Sequence, residues 1–131
     1  MEYESKGAGM VLREYMARMD EGDPEKVLEC LTPGFRFLLA LPGGEVTGAS
    51  KEDFARYLAG RNAVRRVHHI LRSTVDGDLE TVYGVVTEAG RPTGYFLSAA
   101  VVTPAGKMAR YQSYFTPTFE LIDRSAVETS R

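Results

Sequence analysis

The only two histidines of this chain, His68 and His69, stand side by side. A neutral imidazole titrates near neutral pH, so either could accept and return a proton with little tuning. Earlier in the chain come Tyr15 and Asp20: a phenol combines an apolar body with one donor, and a carboxylate can orient a neighbouring phenol or imidazole. Near the end, Tyr111, Ser113 and Phe115 alternate along one run, with Ser98 before them, and hydroxyls in an apolar wall suit the orientation of a ligand carbonyl. Together these residues suit proton transfer on a small carbonyl compound. Each also has a plainer role to hand, as a satisfied core histidine, a packed core tyrosine or a solvated turn acid.

Positioning these groups takes helices first and strands after. From about Ala8 to Glu21, Val11, Leu12, Tyr15, Met16 and Met19 recur on one helical face, and Gly22 ends that helix. Tyr15 and Asp20 are then about 140° apart around the axis, which does not aim both at one point. Asp20 would instead need a cationic or imidazole partner at the helix end, where an acid opposes the macrodipole. Asp23-Pro24 opens a second, short helix to Leu31, and Thr32-Pro33-Gly34 stops it. Phe35 to Leu41 then reads as a buried strand that includes Leu39, closed by Pro42-Gly43-Gly44. Ser50 with Asp53 predicts a capping box for a third helix, with Phe54, Tyr57 and Leu58 inward and Gly60 at its end. The period then changes to two, giving strands at about 66–75, 79–88, 93–103 and 107–116, joined as consecutive hairpins.

On the first of these strands the neighbouring histidines must point to opposite faces, so they cannot share a metal ion. His69 has the parity of Val67, Leu71 and Val75, the more apolar set, and is expected to face inward. His68 has the parity of Ile70, Arg72 and Thr74. On the third, both parities are apolar: Phe96, Ser98, Ala100 and Val102 on one side, Tyr95, Leu97, Ala99 and Val101 on the other. Helices can cover one face only, so a homodimer through the sheet is expected, and Tyr83 and Val85 belong to the same outer surface.

The 131 residues make a single domain, 1–131, with its core at about 8–118 and a frayed tail from about 120 to 131. With 44% hydrophobic and 26% charged residues the chain is an ordinary globular one, and its net charge of −2 gives no general attraction to nucleic acid or anionic membranes. The lone Cys30 offers neither disulfide nor zinc site, and the acidic Met1-Glu2-Tyr3-Glu4 start is unlike a secretory leader, so a cytoplasmic location is expected. No apolar run reaches the roughly 18 residues of a membrane helix. Walker, dinucleotide and G-x-S-x-G motifs are absent from the sequence. Arg56, Arg61, Arg65 and Arg66 form the one basic stretch, either a solvated face or a seat for an anionic ligand group.

The order of these elements, carried by REYMARMDEGDPEKV from Arg13, the Gly48 to Leu58 segment, RVHHILRSTVDGD from Arg66 and GKMARYQSYFTP from Gly106, resembles the NTF2-like superfamily and, within it, the SnoaL-like proteins. The resemblance spans about residues 8 to 118. It implies an α+β cone, three N-terminal helices packed on a curved, mostly antiparallel sheet, with an internal apolar pocket, frequent dimers and no metal or organic cofactor. Position by position, the ketosteroid isomerase pattern keeps its helix-1 tyrosine at Tyr15. Its strand aspartate is replaced by Leu39 or Leu41, and its second carboxyl group by Ser98. The limonene epoxide hydrolase triad falls on Ser113 or Thr116 and on Ala89 to Arg91, which cannot supply it. The scytalone dehydratase pattern of tyrosine, nearby acid and strand histidine finds Tyr15, Asp20 and His68-His69. What the resemblance implies is a cofactor-free lyase or isomerase, of dehydratase or cyclase type, acting on a small apolar carbonyl compound. Tyr15, Asp20 and His69 would do the chemistry, and Leu39, Ser98, Tyr111, Ser113 and Phe115 would hold the ligand. A non-catalytic binding or interaction module of the same superfamily is the alternative.

Overall fold

Gly22 adopts the left-handed conformation, φ 78°, that returns its N–H to the Met19 carbonyl, and helix α1 (Val11–Glu21) ends there. The computed structural model describes residues 10–61 and 65–122. Met10, expected inside the helix, is extended and buried instead, and residues 8 and 9 fall outside the described residues. The N-cap residue offers no side-chain bond. The Leu12 N–H donates instead to Glu80 Oε1 at 2.8 Å, so a carboxylate 68 residues away fills the role of a local cap.

Asp23 accepts the Glu25 N–H at 3.1 Å and opens helix α2 (Pro24–Leu28), which is only five residues long. It stops short of Leu31 because that residue already belongs to strand β1 (Leu31–Leu41), where it pairs with Met108. Thr32-Pro33-Gly34 therefore lies inside a strand rather than before one. The ladder is interrupted between Leu31 and Arg36, which is where a proline without a donor fits. Pro42-Gly43 turns the chain into β2 (Gly44–Gly48), antiparallel to β1 with Leu41 opposite Gly44. No strand was expected there; none of its residues is buried, so no apolar pattern marks it. Ser50 Oγ accepts the Asp53 N–H at 3.0 Å, and the capping box starts helix α3 (Lys51–Ala59) as expected.

Strands β3 (Arg66–Asp76), β4 (Leu79–Glu88), β5 (Arg91–Val102) and β6 (Met108–Thr116) follow as a meander. All six strands form one sheet in the order β2-β1-β6-β5-β4-β3, antiparallel except where β1 meets β6. The result is an α+β domain with a curved sheet and few helices, of which the third follows two strands rather than standing with the others. Its inner face holds the core: Phe54 of α3 meets Phe35 and Phe37 edge-on at 5.4 and 4.9 Å, with Leu12, Met16 and Val82 around them. Among the described residues no helix is long and apolar enough to cross a membrane.

One irregularity decides which side chains enter the core. The β3–β4 register shifts between Ile70 and Arg72, and the His69 carbonyl approaches Gly84 so closely that a Cβ there would overlap it. An extra residue in a strand exchanges its faces. Before the shift Ile70 packs on the core; after it Ser73 stands opposite the core residue Val82, and Val75 opposite Glu80.

On the outer face, Tyr83, Val85 and Tyr95 form a second buried cluster with Leu71 and Ile122. The Leu121 N–H donates to Tyr83 Oη at 2.9 Å. The chain's own segment after β6 thus lies on part of the surface that the sequence assigns to a second copy, with Ile122 packed against it. Leu97 and Tyr114 remain exposed beside it. Residues 123–131, the rest of the expected tail, fall outside the described residues.

Candidate active site

His68 precedes the β3 shift, opposite Val86 of the core. Its backbone N–H donates to Asp20 Oδ2 at 2.9 Å, and its Nδ1 lies 2.6 Å from Asp20 Oδ1. A carboxylate at that distance accepts from Nδ1, so in the neutral ring the lone pair is on Nε2. Among the described residues Nε2 has no protein partner, and His68 lines the space in front of it. The Phe96 ring stands edge-on at 5.0 Å and fixes the imidazole plane.

That space is a cavity of about 590 Å³ between the helices and the inner face of the sheet. Leu39 of β1, Ser98 of β5 and Tyr111, Ser113 and Phe115 of β6 all stand on its wall, as does Tyr15 from α1. Tyr15 and Tyr111 meet with ring centroids 5.1 Å apart. The hydroxyls continue as a chain: Tyr111 Oη donates to Ser98 Oγ at 3.4 Å, and Ser98 Oγ is 2.8 Å from Ser113 Oγ. Burial pushes the Tyr15 phenol well above its usual range, Tyr111 adds to the rise, and the Arg61 guanidinium opposes it. Burial also raises Tyr111, while its hydroxyl contacts to Ser98, Ser113 and Tyr15 draw it partly back. Both phenols are therefore donors at neutral pH, facing a cavity that His68 also lines.

His69, expected to face this cavity, does not. It pairs with Val85 of the outer cluster, and its Nε2 lies 3.0 Å from Thr87 Oγ1. The parity argument treated Leu71 and Val75 as one set, whereas the register shift sends Leu71 to the outer cluster and Val75 to the opposite face. Gly84, the residue that admits the shift, is the signal in the sequence that could have shown it. Asp20 stands apart from Tyr15, as the helical geometry requires, and is in contact with the cavity only through His68. The partner anticipated for an acid at the end of α1 is this imidazole.

Charged side chains gather at the exposed end of the cavity. Arg56 pairs with Asp53, and Arg66 Nε with Glu88 Oε2 at 3.1 Å. Arg61 lies over the Tyr57 ring at 5.8 Å and against Met19 Sδ at 3.8 Å. Arg65 does not line this cavity. Glu88 and Met19, which sequence reasoning did not place at the site, carry no pattern that distinguishes them from ordinary strand and helix residues.

The SnoaL-like domain family matches residues 12–111. No curated protein matches this chain. Among solved structures, a provisionally assigned ketosteroid isomerase from Kribbella flavida superposes with a TM-score of 0.68 at 16% identity, covering 87% of this chain and 86% of that one. A provisionally assigned isomerase of the SnoaL-like family from Agrobacterium tumefaciens gives 0.65 at 12% identity, covering 81% and 94%. A provisionally assigned polyketide cyclase from Sinorhizobium meliloti gives 0.62 at 22% identity, covering 79% and 92%. At these identities the likeness is one of fold.

Proposed function

Because this chain belongs to the SnoaL-like domain family, whose structural relatives include proteins named as isomerases and a cyclase, we propose that it is a lyase or isomerase that moves a proton on a small, largely apolar carbonyl compound. The observation that carries this reading is the Asp20–His68 pair, which leaves Nε2 as a base facing a wall of hydroxyl donors. Nε2 takes the proton from the carbon beside the carbonyl. Asp20 holds the tautomer and stabilises the imidazolium that forms. Tyr15, itself protonated, donates to the oxygen on which negative charge develops, and Tyr111 with the two serines supports it. The imidazolium then returns the proton either to another carbon, which isomerises the compound, or to a departing hydroxyl, which is lost as water.

Leu39 and Leu41 also line the cavity, on the strand where the ketosteroid isomerase pattern has its acid. This apolar wall is what favours the second reading, a module that binds without turnover. Deuterium uptake from heavy water into cyclic and unsaturated ketones, followed by NMR, separates the two. Enzyme-dependent exchange that His68→Ala abolishes supports catalysis. Binding without exchange leaves the module, and exchange unaffected by His68→Ala removes the proposed base.

A further inference from the structure

Three guanidinium groups reach the cavity, and they are not equivalent. Arg56 is neutralised by Asp53 one helical turn away, and Arg66 by Glu88 across the β3–β4 pair. Arg61 has no carboxylate partner among the described residues. What holds it is apolar and soft: the face of Tyr57, the sulfur of Met19, and a backbone N–H tied to the Leu58 carbonyl at 3.2 Å. The adjoining groove, which Arg61 also lines, holds Asp20, Glu21 and Asp23; none of them makes an ion pair with Arg61, and Asp20 is already engaged twice by His68. An unpaired cation against apolar surroundings at a cavity rim keeps its donors free for a ligand, and a charge-assisted bond there is stronger than one between neutral groups. Its charge is also felt inside, since it pulls against the rise in the Tyr15 phenol.

We infer that Arg61 anchors a carboxylate of the ligand, so that the site takes a monoanionic acid whose apolar, carbonyl-bearing body lies along Leu39, Phe96 and Phe115. A single free guanidinium matches a single negative charge, and its planar fork matches a carboxylate. This assignment deepens the reading of the preceding subsection and rests on the cavity being its ligand site.

The test compares 2-naphthoate with its methyl ester, which share a body and differ in charge, by calorimetric titration and by the ring resonances of His68. The wild-type chain is expected to bind the acid about tenfold more tightly than the ester, with both perturbing His68. Arg61→Gln should bring the two affinities together, Arg61→Lys should keep part of the preference, and Arg72→Gln, which removes the same charge from the outer face, should leave it intact. Equal binding of acid and ester by the wild type, or a preference that survives Arg61→Gln, overturns the assignment while the ester's effect on His68 leaves the cavity reading standing. If neither compound binds, both fall. The lysine variant and the spectral dispersion of Arg61→Gln show whether a lost preference reflects charge or folding.

Discussion

The two faces of the sheet received neighbouring histidines and used them differently. On the inner face His68 is tied at Nδ1 to a carboxylate and open at Nε2, beside four hydroxyl groups in an apolar wall. On the outer face His69 meets a threonine hydroxyl, beside the cluster of Tyr83, Val85 and Tyr95 on which Ile122 packs. Chemical identity is the same; what differs is that Asp20 holds His68 beside the cavity, whereas His69 does not line it. A histidine becomes a candidate base through its partners, and those are set by the face on which a strand presents it.

Exchanging the roles is the strongest way to break this contrast. His68→Ala should lower proton-transfer turnover by roughly 10²- to 10⁴-fold, the usual contribution of a positioned base, while His69→Ala stays within a few-fold. A larger loss at His69 would reverse the assignment of faces. Next in size is Gly84→Ala. The added Cβ overlaps the His69 carbonyl, so the register shift must relax, at a cost of about 1–3 kcal/mol in urea midpoints, with loss of the Asp20–His68 contact in the NMR spectrum. Stability equal to wild type would mean that the shift does not depend on Gly84.

Smaller effects sharpen the comparison. Glu80→Ala removes the distant cap of α1 and should cost about 0.5–2 kcal/mol, with Glu80→Gln milder because one acceptor remains. Alkaline titration probes Tyr15 on the inner face. Tyr15 keeps its proton in the folded chain above the usual 10.0, whereas the unfolded chain releases it there, so stability is complete below that pH and falls as pH rises through it. Tyr15→Phe should flatten that fall in denaturation midpoints taken across about pH 9 to 11; an unchanged slope would show that the phenol is not the group responsible. The least effect is expected on the outer face. We propose that Leu97 and Tyr114 complete a homodimer contact, and light scattering at micromolar concentration should give about twice the 14.5 kDa chain mass, reduced by Leu97→Lys without change at the inner site. A monomer at that concentration would leave the outer face to Leu121 and Ile122.

Much of the scaffold could be read from local signals. Gly22, Asp23-Pro24 and the Ser50–Asp53 box act within a few residues of themselves, and the sequence shows them directly. The alternating positions of β5 and β6 put Ser98, Tyr111, Ser113 and Phe115 on one face because those strands are regular between these residues. Where the reading failed, the cause was non-local. β2 exists because β1 offers it an edge, not because its own residues are apolar. Pro33 sits in a strand because the partner ladder is broken there. The choice of His69 over His68 assumed an unbroken period of two, and a contact between β3 and Gly84 broke it. The Asp20–His68 pair spans 48 residues, and no spacing rule within one element could reveal it.

Glu80 holds the start of α1, and His68 receives the acid at its other end. Both anchors come from the meander, so a helix synthesised before those strands is completed only when they are in place. Short helices gain little from their own propagation, and long-range closure is slow compared with local turn formation. During folding, Tyr15 and Asp20 should thus reach their final positions with β3 and β4 rather than with the rest of their own helix. A chain shortened before Leu79 would contain the helix, both histidines and the acid, yet lack one of the two clamps that bring them into register.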